Sequence, residues 1–317
     1  MIFVSISDIN VIGHKFTESN IEVYFLGINS FKSFFKGLKK LNKIVQPLNK
    51  PILHCHMVHG LIIGVAHRIF YKKIPIIFTL HNILVEQAYR RFILFLTRPF
   101  RNADINFSKD SNKWYLNPVH VIANGVDFEK FVSKKNRSYQ IEDKFIFLFL
   151  GRIDEQKNPL VLLDFVKKLI KRNITNFEIW IAGNGAMRKE LEVAINQHQY
   201  HDFIKILGFQ KDIRHLMHTS HCLILPSLWE GLPVSLIEAS AAKLPIITTP
   251  VGSIPEYFNN QNSFVSDVNE FPILMETVIT DYDSALLKAE TLFKENRKIF
   301  DINSVYKKHM QLYKKYI

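Results

Sequence analysis

The sequence predicts an α/β protein with two domains, each built on a parallel β-sheet. Its 317 residues are enough for two domains of about 150 residues each. Short apolar runs alternate with helical segments through the second half of the chain, and the first half repeats this alternation less regularly. Because each run is apolar along its whole length, we expect strands that are covered by helices on both faces, as in parallel sheets.

The clearest pattern lies in the second half. An apolar run of strand length ends at Gly151, and Asn158-Pro159 then opens a helix with proline at a favoured position. The following segments repeat this order of strand, turn and helix. We predict strands at 144–150, 177–182, 204–207, 222–226 and 245–248, and helices at 186–198, 212–218 and 234–242.

The first half carries weaker versions of the same signals. Strands are predicted at 2–6, 21–26, 52–56, 74–80 and 119–122, and helices near 31–45, 60–71 and 84–101. The polar stretch 129–143 is typical of a connection between domains. We therefore expect one domain at 1–127, a second at 128–302, and a final helix at about 303–317 that packs back on the first domain.

Composition limits the cellular setting of the protein. Two cysteines give no disulfide framework, which favours a reducing compartment. No stretch of 18 consecutive apolar residues occurs, and the N-terminus has no basic segment followed by an apolar one. We therefore expect neither a transmembrane span nor a secretory signal, and a cytoplasmic protein.

The net charge of +12 is concentrated in the first half. Residues 1–144 hold 21 Lys and Arg against 10 Asp and Glu, whereas residues 145–317 hold 20 against 19. This asymmetry predicts an anionic partner for the first half. Nucleic acid, an anionic membrane and a phosphorylated acceptor all fit the charge.

One loop of the second half has chemistry suited to phosphate groups. Gly151 follows a strand and lets the backbone approach a ligand closely, while Arg152 and Lys157 place two cations on the same loop. Two cations can neutralise a diphosphate. The alternative is a solvated, charged loop without a ligand.

A second loop, Trp229 to Val234, follows another strand and enters a helix that contains Glu238. Free N–H groups at a helix start attract phosphate, and here the donors would be Gly231, Leu232 and Val234, since Pro233 has none. Glu230 and Glu238 are eight residues apart, which is about 12 Å along a helix. That distance fits a sugar at one carboxylate and a ribose at the other, with a diphosphate between them.

Six ordered segments together resemble the C-terminal half of a known family. These are 121–127 (VIANGVD), 149–159 (FLGRIDEQKNP), 181–185 (IAGNG), 207–212 (LGFQKD), 225–238 (LPSLWEGLPVSLIE) and 249–256 (TPVGSIPE). They resemble the retaining glycosyltransferases of family four, the group 1 transferases. The resemblance implies the GT-B fold, in which two Rossmann-like domains face each other across a cleft. Segments 75–82 and 103–109 resemble parts of that family's acceptor domain.

The resemblance also implies roles for single residues. Glu230 would contact the transferred sugar, Glu238 the ribose hydroxyls, and Arg152 with Lys157 the diphosphate. The remaining donor contacts would come from the backbone near Phe209 and Gln210, at the base, and from Gly231, Leu232 and Val234; His81 would line the sugar face. No metal or other cofactor is implied, and the histidines at 54, 56 and 59 have no fourth ligand nearby that would indicate a zinc site.

The expected reaction is transfer of a hexosyl unit from a nucleoside-diphosphate sugar, with a UDP-sugar preferred, to a hydroxyl of a glycan or lipid-linked acceptor. Configuration would be retained, and the product would enter lipopolysaccharide, another surface polysaccharide or a glycolipid. The family's usual first strand, Gly-rich loop and helix have no counterpart before Met1–Ile6. The alternative is therefore an incomplete, inert donor-binding subunit that needs a partner. A GT-B epimerase or phosphorylase is a further possibility, but no signature of either is found.

Two basic segments are candidates for membrane contact. Segment 31–45 places aromatic and aliphatic residues at helical spacing with five lysines between them, and segment 90–98 is similar. Both fit a core-facing helix with a solvated basic face. They also fit an interfacial helix on anionic lipid at the cytoplasmic face of a membrane. Nucleic acid would explain the charge equally well, but no nucleic-acid motif accompanies it.

Overall fold

The computed structural model describes residues 1–9, 13–81, 85, 87–108, 113–133, 137–140 and 142–317. Asn82 and Lys109, which end two of the segments that resemble the acceptor domain, lie outside these residues. The chain divides into two compact units. The first contains Met1–Val121 together with Met310–Ile317, and the second contains Ile122–His309.

The first unit alternates strands and helices, as its sequence predicts. Its strands form a parallel pair, β1–β2, and a parallel sheet in the order β3-β4-β5-β6. The elements are β1 (Ile2–Ser5), α1 (Gly13–Glu18), β2 (Glu22–Phe25), α2 (Phe31–Val45), β3 (Leu53–His56), α3 (Met57–Phe70), β4 (Ile76–Thr79), α4 (Ala88–Thr97), β5 (Ala103–Asn106) and β6 (Val119–Val121).

The second unit is built on a six-stranded parallel sheet in the order β12-β11-β10-β7-β8-β9. Its elements are α5 (Phe128–Phe131), β7 (Phe145–Leu150), α6 (Val161–Lys171), β8 (Phe177–Ala182), α7 (Arg188–His198), β9 (Ile204–Gly208), α8 (Ile213–Thr219), β10 (Cys222–Leu225), α9 (Val234–Ala241), β11 (Ile246–Thr248), β12 (Phe264–Val265), α10 (Phe271–Thr280), α11 (Tyr282–Phe300) and α12 (Ile302–Tyr313), whose last four residues belong to the first unit.

The central strand β7 shows why this sheet is parallel and buried. Phe145, Phe147 and Phe149 point to one face and are fully buried, and Leu148 on the other face is fully buried too. A strand that is covered on both faces needs apolar residues at every position, which is the pattern that the sequence carries. Burial of these large side chains holds the site-bearing ends of the strands in place.

The C-terminal residues are anchored within the first unit by two tyrosines. The Tyr313 hydroxyl lies 2.6 Å from Nδ1 of His54 on β3, and the Tyr316 hydroxyl donates to the Asn102 carbonyl at 2.8 Å. These contacts explain why residues 310–317 group with a unit whose other residues end at Val121.

No helix in the described parts of the chain combines the length and the apolar character that a membrane span requires.

Candidate functional site

The strand order of the second unit locates a crevice between β7 and β10. Strands β7, β8 and β9 follow one another toward one edge of the sheet, and the chain then returns to place β10 on the other side of β7. In open parallel sheets, ligands bind outside the carboxyl ends of the strands at such a reversal. The loops after Leu150 and Leu225, which carry the predicted donor residues, leave the sheet at this point.

Lys157 and Glu230 form an ion pair that joins these two loops. Lys157 Nζ lies 2.5 Å from Oε1 of Glu230, and the two side chains are only 11% and 6% exposed. The Gln156 amide donates to the other carboxylate oxygen of Glu230 at 3.1 Å and to the Trp229 carbonyl at 3.0 Å. Both oxygens of the carboxylate are therefore held, which fixes its position at the carboxyl end of β10.

Local backbone features direct Lys157 toward this carboxylate. Asp154 caps the short 3-10 turn Glu155–Lys157, since its side chain accepts from the Lys157 N–H, and Asn158 ends the turn in a left-handed conformation. Arg152 stays on the outside of the loop. Its guanidinium pairs with Asp154 at 3.0 Å and remains 70% exposed, so it can reach a ligand in solvent.

The loop after β11 packs against the backbone of Glu230 and Gly231. The Ser253 N–H donates to the Gly231 carbonyl at 3.0 Å. Gly252 has a φ of 62°, and a Cβ at this position would lie 2.2 Å from the Glu230 carbonyl oxygen. Only glycine permits this close approach, and it brings a third loop to the same crevice.

The start of α9 offers backbone donors to a ligand. Pro233 precedes the helix in an extended conformation, and no side chain caps the first turn. Within the described ranges, no acceptor is found for the N–H groups of Gly231, Leu232 and Val234. Unpaired N–H groups at a helix start, together with the helix dipole, form a site for a phosphate.

Glu238 lies one turn further along α9 and is the most perturbed acid of the site. Its neighbours Leu236, Ile237 and Ala239 are buried. Burial raises the pKa of Glu238 to about 7. No hydrogen-bond or ion-pair partner of this carboxylate is found among the residues that the structure describes. A half-buried carboxylate loses part of its hydration, and hydroxyl groups of a ligand would offer it hydrogen bonds.

Phe209 and Gln210 lie at the end of β9, two strands away from β7. Parallel strands are about 4.8 Å apart, so these residues leave the sheet about 10 Å from the end of β7. Phe209 is exposed, and the Gln210 amide donates to the Leu207 carbonyl at 2.8 Å. The residues predicted to meet the base therefore lie at the same carboxyl edge of the sheet as the other site loops.

His81, the candidate in the first unit, follows β4. Its Nε2 lies 2.9 Å from Nδ1 of His56, and its ring packs against Phe107 with a centroid distance of 5.6 Å. Partial burial lowers its pKa, which keeps the ring neutral at neutral pH. In the part of the chain that the structure covers, no group of three His, Cys, Asp or Glu side chains converges as a metal site would require.

Sequence reasoning missed the residues that hold the others in place. Gln156 binds both loops, Asp154 orients Lys157 and Arg152, and Gly252 allows the third loop to approach. The only sequence signal for Gln156 is its position between the two predicted cations. Gly183, in the segment 181–185, has a comparable role. A Cβ on Gly183 would lie 1.8 Å from the Gly151 carbonyl oxygen, so this glycine also allows two site loops to touch.

The fold and this site define a class of protein with many solved members. The structure is similar to that of Alr3699/HepE from Anabaena in complex with UDP, with a TM-score of 0.86 and 16% identity, covering 99% of this chain and 92% of that one. A complex of the same protein with UDP-glucose matches with a TM-score of 0.84. The predicted fold class is confirmed: both units are α/β with parallel sheets, as in GT-B glycosyltransferases.

Residues 131–285 match the sequence model of the family described as Glycosyl transferases group 1. Five of the six segments that carry the resemblance lie in this range, and 121–127 precedes it. The predicted resemblance is therefore confirmed for these residues, which match the sequence model of that family.

Two relatives match over most of the chain. The chain is 25% identical over 296 residues to UDP-Gal:alpha-D-GlcNAc-diphosphoundecaprenol alpha-1,3-galactosyltransferase of Escherichia coli, a match that covers 85% of this chain and 76% of that protein. It is 28% identical over 280 residues to GalNAc-alpha-(1->4)-GalNAc-alpha-(1->3)-diNAcBac-PP-undecaprenol alpha-1,4-N-acetyl-D-galactosaminyltransferase of Campylobacter jejuni, covering 80% of this chain and 72% of that protein. Both relatives are bacterial glycosyltransferases whose names specify lipid-linked glycans.

Proposed function

We propose that this chain is a retaining glycosyltransferase that moves a hexosyl unit from a UDP-sugar to a hydroxyl of a glycan or lipid-linked acceptor. One observation carries the proposal. The Lys157–Glu230 pair, the N–H groups without acceptors and the carboxylate of Glu238 all lie on the loops at one strand reversal or on helix α9, which follows one of these loops. These groups match the sugar, the diphosphate and the ribose of a nucleotide-sugar donor. The match of residues 131–285 to the sequence model of a glycosyltransferase family supports transferase activity.

The donor would bind with its diphosphate at the start of α9. The N–H groups of Gly231, Leu232 and Val234 would donate to phosphate oxygens, and the exposed Arg152 would close over them. Glu238 would accept hydrogen bonds from the ribose, and the backbone at Phe209 and Gln210 would meet the base. Two cations and a helix start supply the positive potential that a divalent ion supplies in other enzymes, so the proposal needs no metal.

In the reaction, the bond between the anomeric carbon and the diphosphate oxygen breaks while the acceptor oxygen attacks from the same face. The proton of the acceptor hydroxyl passes to the departing diphosphate, so charge and atoms balance. Lys157 and Arg152 stabilise the negative charge that develops on the diphosphate. Glu230 positions the sugar, and the neutral His81 ring would hydrogen-bond to it without acting as a nucleophile.

The names of relatives support the proposed acceptor class. The two bacterial relatives described above are named for undecaprenol-diphosphate-linked glycans, and a further relative, CapH of Staphylococcus aureus, is named for capsular polysaccharide biosynthesis. We therefore propose a role in lipopolysaccharide, other surface polysaccharide or glycolipid biosynthesis, in the cytoplasm and peripheral to the membrane.

Thermal-shift screening against UDP-, GDP- and ADP-sugars tests the donor assignment. A UDP-sugar should raise the melting temperature of the wild-type protein, and Glu238→Ala should abolish this increase. Glu190→Ala, which removes an exposed acid from α7, is the matched control and should leave the increase unchanged. The proposal fails if no nucleotide sugar stabilises the wild-type protein.

Product analysis distinguishes this proposal from a donor-binding chain that needs a partner. The isolated protein should hydrolyse the donor slowly or transfer its sugar to a lipid-linked acceptor. Nuclear magnetic resonance of the product should show the anomeric configuration of the donor. Donor binding without hydrolysis or transfer would support the partner-dependent alternative.

A further inference from the structure

A cluster of exposed aromatic rings lies where α2 meets the end of α3. Phe31, Phe35 and Phe70 are 82%, 52% and 61% exposed. Their rings contact one another, with centroid distances of 6.0 Å between Phe31 and Phe35 and 6.1 Å between Phe35 and Phe70. We call these three residues, with the lysines 32, 36, 39, 72 and 73 around them, the Phe–Lys surface. Contiguous exposed apolar groups of this kind mark an interaction site.

Folding of α2 does not explain the exposed rings. Ser30 and Ser33 form a capping box at the start of the helix, and Leu38, Leu41 and Val45 are buried on its inner face. The helix therefore has its cap and its core contacts without Phe31 or Phe35. A soluble surface needs no phenylalanine at these positions, and both rings remain available for a partner.

The charge around the rings has one sign. No Asp or Glu occurs between Glu22 and Glu86, whereas nine Lys and Arg do. Lys32, Lys36 and Lys39 are exposed and follow one another along α2, and Lys72 and Lys73 continue the positive surface after α3. None of the five forms an ion pair with a described residue. The complementary partner is anionic.

Ring geometry favours a bilayer over nucleic acid. The Phe31–Phe35 and Phe35–Phe70 pairs meet at interplanar angles of 89° and 69°, so the cluster packs edge to face. Single-stranded nucleic acids stack successive bases on separate ring faces along a groove, whereas these three rings pack against one another. Aromatic rings among lysines are instead typical of a helix face that lies in the lipid interface, where the rings enter the acyl boundary and the ammonium groups meet lipid phosphates.

We infer that the Phe–Lys surface docks this protein on a bilayer that contains anionic lipid. The choice of a bilayer rests in part on the proposed function, because a lipid-linked acceptor is presented at such a surface. Binding would involve both electrostatic attraction and insertion of the three rings, so it should need anionic lipid and weaken as salt is raised.

Co-sedimentation with lipid vesicles tests the inference. The wild-type protein should bind phosphatidylglycerol-containing vesicles and not pure phosphatidylcholine vesicles. Because each lysine near an anionic surface contributes about 1 kcal/mol, Lys32→Gln/Lys36→Gln/Lys39→Gln should weaken binding about 100-fold. Phe31→Ser/Phe35→Ser/Phe70→Ser should weaken binding about tenfold or more through lost burial.

Matched controls lie in the second unit. Lys167→Gln/Lys171→Gln/Lys189→Gln removes the same charge from exposed positions, and Val193→Ser/Leu287→Ser removes exposed apolar side chains. Both should bind vesicles like the wild type. Melting temperatures of all variants should agree, since every substituted residue is exposed.

Four results would overturn the inference: no vesicle binding by the wild type, equal binding to neutral vesicles, unchanged binding by both Phe–Lys variants, or stronger binding to single-stranded RNA than to anionic vesicles at equal salt. UDP titration of the same variants keeps the proposed function separate. If the wild-type protein binds vesicles as expected but neither it nor any variant binds UDP, the donor assignment fails and the docking surface is retained.

Discussion

Donor binding should depend on pH through Glu238. Burial raises the pKa of this carboxyl from 4.5 to about 7. Ribose hydroxyls donate hydrogen bonds, so they favour the ionised carboxylate and binding below that pKa must release a proton. About 3% of Glu238 is ionised at about pH 5.5, against about 90% at about pH 8. The affinity for UDP should therefore be about thirtyfold lower at the acid pH than at about pH 8.

Isothermal titration with UDP at constant ionic strength measures the effect. The phosphate of UDP also titrates near this range, and Glu238→Gln corrects for it because the variant keeps the ligand's own titration. The ratio of the wild-type affinity to the variant affinity should rise about thirtyfold from about pH 5.5 to about pH 8. With 2′-deoxy-UDP, which lacks one ribose hydroxyl, the ratio should rise less.

The same carboxyl gives a stability prediction with a defined sign. Its folded pKa exceeds its unfolded pKa, so its contribution to stability is complete below pH 4.5 and is lost as pH rises through about 7. Without ligand, Glu238→Gln should therefore melt at a higher temperature than the wild type at about pH 8 and no higher at about pH 4. If neither the affinity ratio nor the difference in melting temperature changes with pH, Glu238 does not face the ligand.

Three further predictions concern the loops. Lys157→Met or Glu230→Gln alone leaves a nearly buried partner unpaired and should lower the melting temperature, by an amount equivalent to about 3 kcal/mol. The double variant should lose less stability than the sum of the two single variants, and additive losses would contradict the pairing. Arg152→Ala should leave the melting temperature unchanged, because the side chain is 70% exposed. It should weaken the binding of UDP about tenfold or more without affecting the binding of uridine. An equal loss of uridine binding would contradict a phosphate contact. Gly252→Ala should lower both the melting temperature and the affinity for UDP. In Gly60→Ala the added Cβ would meet only the Cys55 Cβ, at an ordinary contact distance of 4.0 Å, so UDP binding should be unchanged. Normal UDP binding by Gly252→Ala would show that the third loop does not position Glu230.

The sheet of the second unit could be predicted because each of its strands carries its own sequence signal. A run such as Phe145–Leu150 is apolar at each position, and a turn signal follows it directly. Since loops after parallel strands meet at one edge, the sequence also indicated that Arg152, Lys157 and Glu230 would lie near one another. That inference needs only strand direction and order of residues.

The pairing of Lys157 with Glu230 could not be predicted in the same way. It depends on the cap at Asp154, the left-handed Asn158 and the φ of 62° at Gly252, which tertiary contacts set. The contact between His54 and Tyr313 joins residues 259 positions apart, a separation on which periodicity carries no information.

Two helices and one strand near the C-terminus were also not predicted from the sequence. No element was predicted for 264–300, where the structure has β12, α10 and α11. Helix α10 is apolar around most of its circumference, and such a run cannot be told from a strand by periodicity. Helix α11 is mostly polar, and its start depends on the Asp281 side chain, which caps the Ser284 N–H.

Hydrogen–deuterium exchange with and without UDP tests the central claim most directly, because it locates the ligand on the chain. The account predicts that UDP protects the backbone of 151–158 and 228–240, including the N–H groups of Gly231, Leu232 and Val234. It also predicts that Glu238→Gln weakens this protection at about pH 8. Protection confined to other segments, or none at a UDP concentration that stabilises the protein, would contradict the assignment of the donor site to the crevice between β7 and β10.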